Sequence, residues 1–555
     1  MTPELHQLLT KTDAWRRAGD WQNAAKGYQT ALVQLPKDAV VAHNLALCHL
    51  ALGDNLQAQT YSSMAMRLNP QQWQSGLIQA KALIANGQKT QALELLESLA
   101  VQQPTSADVV LELAKLVMQH GGDAAQACSL VQPFLGSEHR RDAQIVSLIA
   151  QLYDRDSAVA AQTLSQDICK FADVYLQLPS LERPSRHEVL AVGKETRSRQ
   201  KKTAFDLGLN RRLRVGLLSP QFSVSPVYFF TYGSLRLMVD EVDFVFFSRA
   251  KKNDWATRLF QAFATDWVDV SLCTADQLAR VLVSHDLDVL VDMGGWMDPV
   301  GLQALSIKPA RTMFKWVGGQ SATTGLRTFD GFLSDRYQTP KGSDSLYSEP
   351  LIRLESGYVT YTPPPYLPQP VKRVGSMALL GVIANPAKVS RAFLAELRQS
   401  LTAWQKNRGG VSRDVQLYFI DKRYQQPGIR ERIQTALPEV SLEFVTPADH
   451  LAYLTAVSRL DATLDTWPYS GGLTAIEALA LGVPSYTRAG QLFCERHTVS
   501  HYFYAGLKIG HCTIDGLDGL LSSHGSNRRT LLSAQSPRLD HVALANELLY
   551  YFHVT

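Results

Sequence analysis

The chain has 555 residues, too many for one hydrophobic core, so several domains are expected. Its 45% hydrophobic and 19% charged content suits a globular chain, and a formal charge of +4 leaves no electrostatic footprint for nucleic acid. No run approaches roughly eighteen apolar residues, MTPELHQLLTKTD is no signal peptide, and the six cysteines form no C-x-x-C pair, which predicts a cytoplasmic protein with reduced thiols, no membrane span and no zinc site.

The first 105 residues repeat. Gly19, Gly53 and Gly87 recur every 34 residues, as do Ala24, Ala58 and Ala92, and Pro36, Pro70 and Pro104. Ala31, Ala65 and Leu99 hold the same register, with Trp21 after the first glycine. This is the tetratricopeptide (TPR) pattern: small residues where paired helices cross, Gly at the turn, Pro after the second helix. A fourth unit around Gly121-Gly122 is slipped by about one residue, and helical residues 142–177 are expected to cap the stack. Within the cap, Asp154-Arg155-Asp156 mimics a D-x-D metal motif but is read as a solvated helix face. TPR stacks hold peptides and proteins, so residues 1–177 are assigned to partner binding.

Residues 178–212 form a basic, Pro-containing linker, with Lys194, Arg197, Arg199, Lys201 and Lys202 exposed to solvent or to an acidic partner. From 213 onward, short apolar runs (RLRVGLLS, DFVFFS, LDVLVDMGG, RTMFKWVGG) alternate with helix-like segments, as in a doubly wound parallel sheet. YTPPPYLPQP (361–370) interrupts the pattern, and a second set follows: MALLGVIA, VQLYFID, VSLEFVT, DATLDTW, PSYTR. The predicted fold is α + α/β. A TPR solenoid (1–177) and linker precede two Rossmann-like domains, 213–365 and 366–555, with a ligand cleft at the strand ends. Neither sheet domain has G-x-G-x-x-G after its first strand, and no G-x-x-x-x-G-K-[ST] occurs, which argues against a dinucleotide oxidoreductase and a P-loop NTPase.

Three segments of the second sheet domain end strands with anion-friendly residues. Asn385-Pro-Ala-Lys388 follows GVIA, with Ser390 close behind; Asp449-His450 follows SLEFVT; and Pro-Tyr-Ser470-Gly471-Gly472-Leu473-Thr474 follows DATLDTW and opens an Ala/Leu-rich helix. A lysine, a glycine-rich helix N-terminus and a hydroxyl at one sheet edge would neutralise a diphosphate. Glu477, one turn beyond Thr474, is positioned to accept bonds from ribose hydroxyls.

LDTWPYSGGLTAIEALALGVPSYTRAG resembles the donor-binding segment of the O-linked N-acetylglucosamine transferases and their SPINDLY-type relatives, which reads close to LDTFPYNGGTTTCEALWMGVPVVTLAG. The likeness extends to ANPAKVS, to FVTPADHLAYL, to Gly490–Arg496, and more loosely to RLRVGLLSPQF and WVGGQSATTGLRTFDGFLSD. It implies a GT-B fold with a nucleotide-sugar donor as substrate and no resident cofactor or metal. Lys388 would contact the diphosphate, Gly471, Gly472 and Thr474 would cradle it, His450 would lie against the base and Glu477 would bond the ribose. Asn385, Ser470 and Leu473 complete the candidate binding set, and Asp465 and Tyr228 are the candidates for a general base beside Lys388. By analogy with TPR-bearing bacterial relatives, the acceptor is Ser or Thr of a protein held by the repeats, with flagellin a candidate.

The departures from that pattern fall on the sugar and acceptor side, while the nucleotide side is kept. The family's histidine-bearing GNHPTSH segment is here Ser223-Val-Ser225-Pro226-Val-Tyr228, and its D-L-x-G-H-T is Asp292-Met-Gly-Gly-Trp296-Met297. Leu473 replaces a hydroxyl residue. An altered sugar specificity is the preferred reading. The alternative is a non-catalytic TPR adaptor with a degenerate transferase domain.

Overall fold

The computed structural model describes residues 2–155, 160–179, 212–250, 252–371, 377–406, 414–507 and 536–554. The five basic linker residues and Asp156 lie outside them. The chain divides into two compact units, Met1–Ala150 and Gln151–Thr555.

In the first unit, α1 (Pro3–Arg17) pairs with α2 (Trp21–Gln34), α3 (Ala39–Ala51) with α4 (Asn55–Leu68), and α5 (Trp73–Ala85) with α6 (Lys89–Gln102). Gly19, Gly53 and Gly87 turn between the paired helices at φ +76, +75 and +80. That left-handed backbone, which penalises any Cβ, is what demands glycine there. Asp20 and Asp54 then cap the following helices. Ala24, Ala58 and Ala92 are 0% exposed at the crossings.

The fourth unit explains its slip. α7 (Ala107–Leu116) runs into a π turn, Val117–Gly121, which adds one residue, so Gly122 at φ +69 takes the left-handed position. Ala127, not residue 126, then becomes the buried crossing residue of α8 (Ala124–Val131).

α9 (Arg140–Tyr153) straddles the division, and α10 (Ala161–Tyr175) lies wholly in the second unit. There Gly325, at φ +82, packs so tightly that a Cβ would stand 2.7 Å from the Ala172 Cβ. The expected cap of 142–177 is therefore largely a packing element of the sheet unit.

That unit contains two all-parallel sheets. The first has β1 (Leu213–Ser219), β2 (Val242–Ser248), β3 (Asp266–Asp269), β4 (Val289–Asp292), β5 (Thr312–Lys315), β6 (Gly331–Ser334) and β7 (Leu351–Arg353), in the order β3-β2-β1-β4-β5-β6-β7. The second has β8 (Ala378–Val382), β9 (Val415–Ile420), β10 (Ser441–Val445), β11 (Ala462–Leu464) and β12 (Ser485–Tyr486), in the order β10-β9-β8-β11-β12. Helices cover both faces of such sheets, so the strands read as continuous apolar runs such as VDFVFFS. Strand order reverses between β1 and β4 and between β8 and β11, and a crevice opens at the carboxyl ends of such pairs.

The C-terminal helix, His541–Val554, departs from the expected boundary. Although it follows the second sheet in sequence, Leu544, Leu548 and Phe552 are buried in the core of the first, with Phe552 stacked 5.9 Å from Phe314. Each such side chain contributes about 1.5–3 kcal/mol by burial, which anchors the end of the chain to the first sheet. Among the described residues, no helix is long and apolar enough to cross a membrane.

Candidate functional site

The reversal between β8 and β11 assembles the site. β8 is followed by Ile383-Ala384, and Asn385 caps a short 3-10 turn, Pro386–Lys388, by accepting the Ala387 amide at 3.0 Å. Asn385 thus shapes the turn that presents Lys388. The Lys388 ammonium donates to the Ser470 carbonyl at 2.8 Å and lies 4.1 Å from the centre of the Tyr469 ring. Above all burial, and also Arg423, lowers its pKa to about 8, against the opposing pull of Asp465. Arg423, at the carboxyl end of β9, is itself paired with Asp421 at 2.6 Å.

From β11 the chain enters the Gly-Gly loop. Asp465 holds that loop closed: its carboxylate accepts from the Gly471 amide at 2.6 Å and from the hydroxyls of Ser470 and Thr487 at 2.7 Å each. Burial raises the Asp465 pKa while these hydrogen bonds oppose the rise. With both oxygens engaged, Asp465 is a latch rather than the free base expected from sequence.

Gly472 opens the helix Leu473–Ala480 without a side-chain cap. Among the described residues, no acceptor meets the amides of Leu473, Thr474 or Ala475, and Gly472, Leu473 and Thr474 are part-exposed. The Thr474 hydroxyl stands over Gly471, 3.0 Å from the place a Cβ would occupy. Unpaired amides at the positive end of a helix, a hydroxyl and an adjacent ammonium form an anion site.

His450 and Glu477 meet beside this loop. His450, first residue of the helix His450–Val457, places Nε2 2.9 Å from Glu477 Oε1 and Nδ1 3.1 Å from the Tyr366 hydroxyl, with Phe229 and Tyr453 against its ring. Glu477 is only 1% exposed, and burial raises its pKa against the pull of His450. The direct ribose contact expected of Glu477 is corrected accordingly: its carboxylate orients His450, whose side chain is 24% exposed.

The side chains of two further candidates pack into the core of the first sheet. Tyr228 sits in an aromatic cluster with Tyr232, Trp255 and Phe260, where burial pushes its phenol up to about 12. That environment does not make Tyr228 the general base expected from sequence. Leu473 packs on the core of the first sheet, so an apolar residue at this position ties the loop to the opposite domain.

Other contacts complete the site. The Tyr469 ring carries Lys388 on one side and stacks on Tyr153 at 4.7 Å, and its hydroxyl meets Ser321 Oγ at 3.0 Å. Tyr153 is followed by Asp154, which accepts the Arg391 amide at 3.2 Å, and by Arg155, which ion-pairs with buried Glu495. Asp154 and Arg155 are thus structural contacts of the sheet unit, which overturns their reading as a solvated face. In the first sheet domain, Asp292 binds the amides of Gly294 and Gly295 and buried Lys315 at 3.3 Å, while Trp296 donates from Nε1 to the Thr323 carbonyl. Among the described residues, no group of three or more His, Cys, Asp or Glu side chains converges as metal ligands.

No family model matches the chain. The chain is 27% identical over 319 residues to the probable UDP-N-acetylglucosamine–peptide N-acetylglucosaminyltransferase SPINDLY of Arabidopsis thaliana, covering 54% of this chain and 33% of that protein. The rice SPINDLY protein gives the same identity over 313 residues, with the same coverage of 54% and 33%. The Arabidopsis protein named SEC is 25% identical over 151 residues, 27% of this chain and 15% of that one. The chain thus spans about a third of the length of the curated SPINDLY proteins it matches. Among solved structures, a mutant O-GlcNAc transferase from Thermobaculum terrenum superposes with a TM-score of 0.61 at 22% identity, covering 100% of this chain and 98% of that one. This likeness establishes the fold, TPR helices followed by a GT-B pair of Rossmann-like domains.

Proposed function

As a homologue of the SPINDLY-type and SEC-type O-GlcNAc transferases, the chain is, we propose, a protein O-glycosyltransferase that moves a sugar from a nucleotide-diphosphate donor to Ser or Thr of a protein. The observation that carries this reading is Lys388 at the β8/β11 reversal, facing a helix N-terminus whose first amides have no protein acceptor.

The donor diphosphate binds between the Lys388 ammonium, the amides of Leu473–Ala475 and the Thr474 hydroxyl. His450, held by Glu477 and Tyr366, lies against the nucleoside. As the sugar–phosphate bond breaks, negative charge grows on the leaving diphosphate, and fixed donors in a part-buried site stabilise it without reorganising. That role needs no divalent cation, so the transfer is proposed to be metal-independent. The TPR unit recruits the acceptor, and flagellin is the acceptor class suggested by resemblance.

One observation favours the adaptor reading. Where the resembling family carries a histidine, Trp296 is buried and bonded to Thr323. Turnover separates the two. The protein is incubated with a panel of nucleotide sugars and a co-expressed acceptor, and the acceptor's intact mass is measured. A mass increase of one sugar supports the transferase. Nucleotide binding without any mass change or donor hydrolysis supports the adaptor.

A further inference from the structure

His497 opens the helix His497–Tyr504 across from Gly472 and is only 8% exposed. Its Nδ1 lies 3.2 Å from Gln338 Nε2 and 3.2 Å from the Tyr358 hydroxyl. Gln338 Nε2 also donates to the Phe493 carbonyl, which fixes the orientation of the amide. An amide nitrogen only donates, so Nδ1 is the acceptor and the proton of the neutral ring resides on Nε2. Burial first, then the charges of Lys388 and Arg538, lowers the His497 pKa to about 3 and keeps the ring neutral.

Among the described residues, nothing accepts from that Nε2–H. The ring edge bearing it faces the loop: Cδ2, bonded to Nε2, is 4.0 Å from where a Cβ on Gly472 would stand. The same ring is 6.0 Å from that of Tyr469, which carries Lys388 on its face. A donor with a fixed tautomer and no protein partner among the described residues, on a side chain 8% exposed, therefore borders the open helix N-terminus.

We propose that His497 is a substrate-binding residue whose Nε2–H donates directly to a phosphate oxygen of the donor, forming a third arm of the anion site beside Lys388 and the amides of Leu473–Ala475. The inference rests on the nucleotide-diphosphate reading above. A neutral donor suits this position because it binds an anion without adding a second buried charge next to Lys388.

Two substitutions separate the ring's two edges. In His497→Asn the amide oxygen can replace Nδ1 and keep the bonds from Gln338 and Tyr358, but nothing reaches as far as Nε2. In His497→Gln the longer amide places an N–H near Nε2. Full-length protein is titrated calorimetrically with UDP, GDP and inorganic pyrophosphate, with Lys388→Ala as reference. Expected is roughly tenfold or greater weakening in His497→Asn, the scale of one hydrogen bond to a charged group, with melting unchanged, and near-native affinity in His497→Gln, whose melting falls because the buried Tyr358 hydroxyl loses its acceptor. A folded His497→Asn that binds like the parent, while Lys388→Ala does not, overturns the proposal alone. Failure of the parent to bind any of the three probes overturns the site reading beneath it. Should His497→Asn not fold, ¹⁵N-histidine spectra of the parent decide: the His497 Nε2–H resonance moves on saturation with the bound probe, and an unmoved resonance refutes direct contact.

Discussion

The Lys388 ammonium lies 4.1 Å from the centre of the Tyr469 ring, and the opposite face of that ring is covered by Tyr153 at 4.7 Å. The aromatic face attracts the cation, worth about 0.5–2 kcal/mol, and Tyr153 keeps the ring from swinging away. Lys388 is therefore held at the mouth of the Gly-Gly loop before any anion arrives. Replacing Lys388 by Ala should lower transfer by about 10²-fold or more, the scale for one electrostatic donor to a developing charge. Circular dichroism should show the fold retained. Unchanged turnover would mean that the diphosphate binds elsewhere.

The pKa of Lys388 gives this site a pH dependence with a definite sign. Burial lowers it from 10.5 to about 8. Between those values the unfolded chain binds a proton that the folded chain does not, so charging Lys388 on descending to neutral pH costs stability, and a bound anion offsets that cost. The anion selects the protonated form. Affinity for UDP or GDP should be nearly flat up to pH 8 and fall above it, approaching about tenfold per pH unit. The terminal phosphate of the nucleotide, ionising near about pH 6, has already titrated. Calorimetry at pH 7.0 and 9.5 tests this, and Lys388→Ala should remove the difference.

If the leaving diphosphate is held by Lys388 and the helix amides, transfer should survive EDTA, whereas two-carboxylate sites of the D-x-D kind need manganese or magnesium. Activity lost on chelation and restored by either metal would count against the mechanism.

The pair Arg155–Glu495 lends itself to a stability test. Both side chains are largely buried, and Glu495 also accepts the amides of Gln491 and Leu492 at 2.6 and 3.1 Å. Breaking a buried pair typically costs about 3–5 kcal/mol because one charge is stranded. Here the two amides still solvate the carboxylate, so Arg155→Met should destabilise by about 2–3 kcal/mol, near or below the low end of that range. Urea unfolding of Arg155→Met, Glu495→Gln and the double variant yields the coupling energy. A coupling near zero would mean that the contact does not hold residue 155 to the sheet unit.

What the sequence made legible was local. The 34-residue glycine period announced the hairpins because a left-handed turn leaves little choice of residue, and the Gly-Gly loop announced a strand-to-helix turn for the same reason. What stayed hidden was long-range. Arg155 meets Glu495 across 340 residues and Asp154 meets Arg391 across 237, and no periodicity encodes such pairings. The crossing of the last helix to the first sheet was hidden because LANELLYYF buries equally well against either sheet. The Asp465 carboxylate is conspicuous in sequence and reads as a base there, whereas the three donors that occupy it are visible only in three dimensions. His497 is silent in sequence because a lone histidine at a helix start carries no signal until its two edges can be told apart.

These contacts determine where the chain can be cut. The assignment of 142–177 as a cap on the repeats predicts that residues 213–555 bind nucleotide without 1–177. The structure instead places Tyr153 against Tyr469, Arg155 against Glu495, and Ala172 against Gly325, all within the unit that begins at Gln151. Removing 1–138, so that α9 and α10 are kept whole, should leave UDP or GDP affinity within about twofold of the full chain, because every residue proposed to touch the nucleotide remains supported. Removing 1–177 strips Tyr153 from the Tyr469 ring, strands Glu495 and uncovers the 320–327 loop. It should therefore lower the melting temperature and weaken nucleotide binding at least tenfold, the scale of losing one buried ionic contact and one stacked ring. Transfer to a folded protein acceptor should fall in both truncations, since the repeats that tether the acceptor are gone, while a short peptide at high concentration can still react. Melting curves, calorimetry and acceptor mass spectra on the three chains are sufficient. If the chain starting at 178 melts and binds nucleotide like the one starting at 139, then Tyr153, Arg155 and α10 do not support the site, and the repeat-based boundary was the better one.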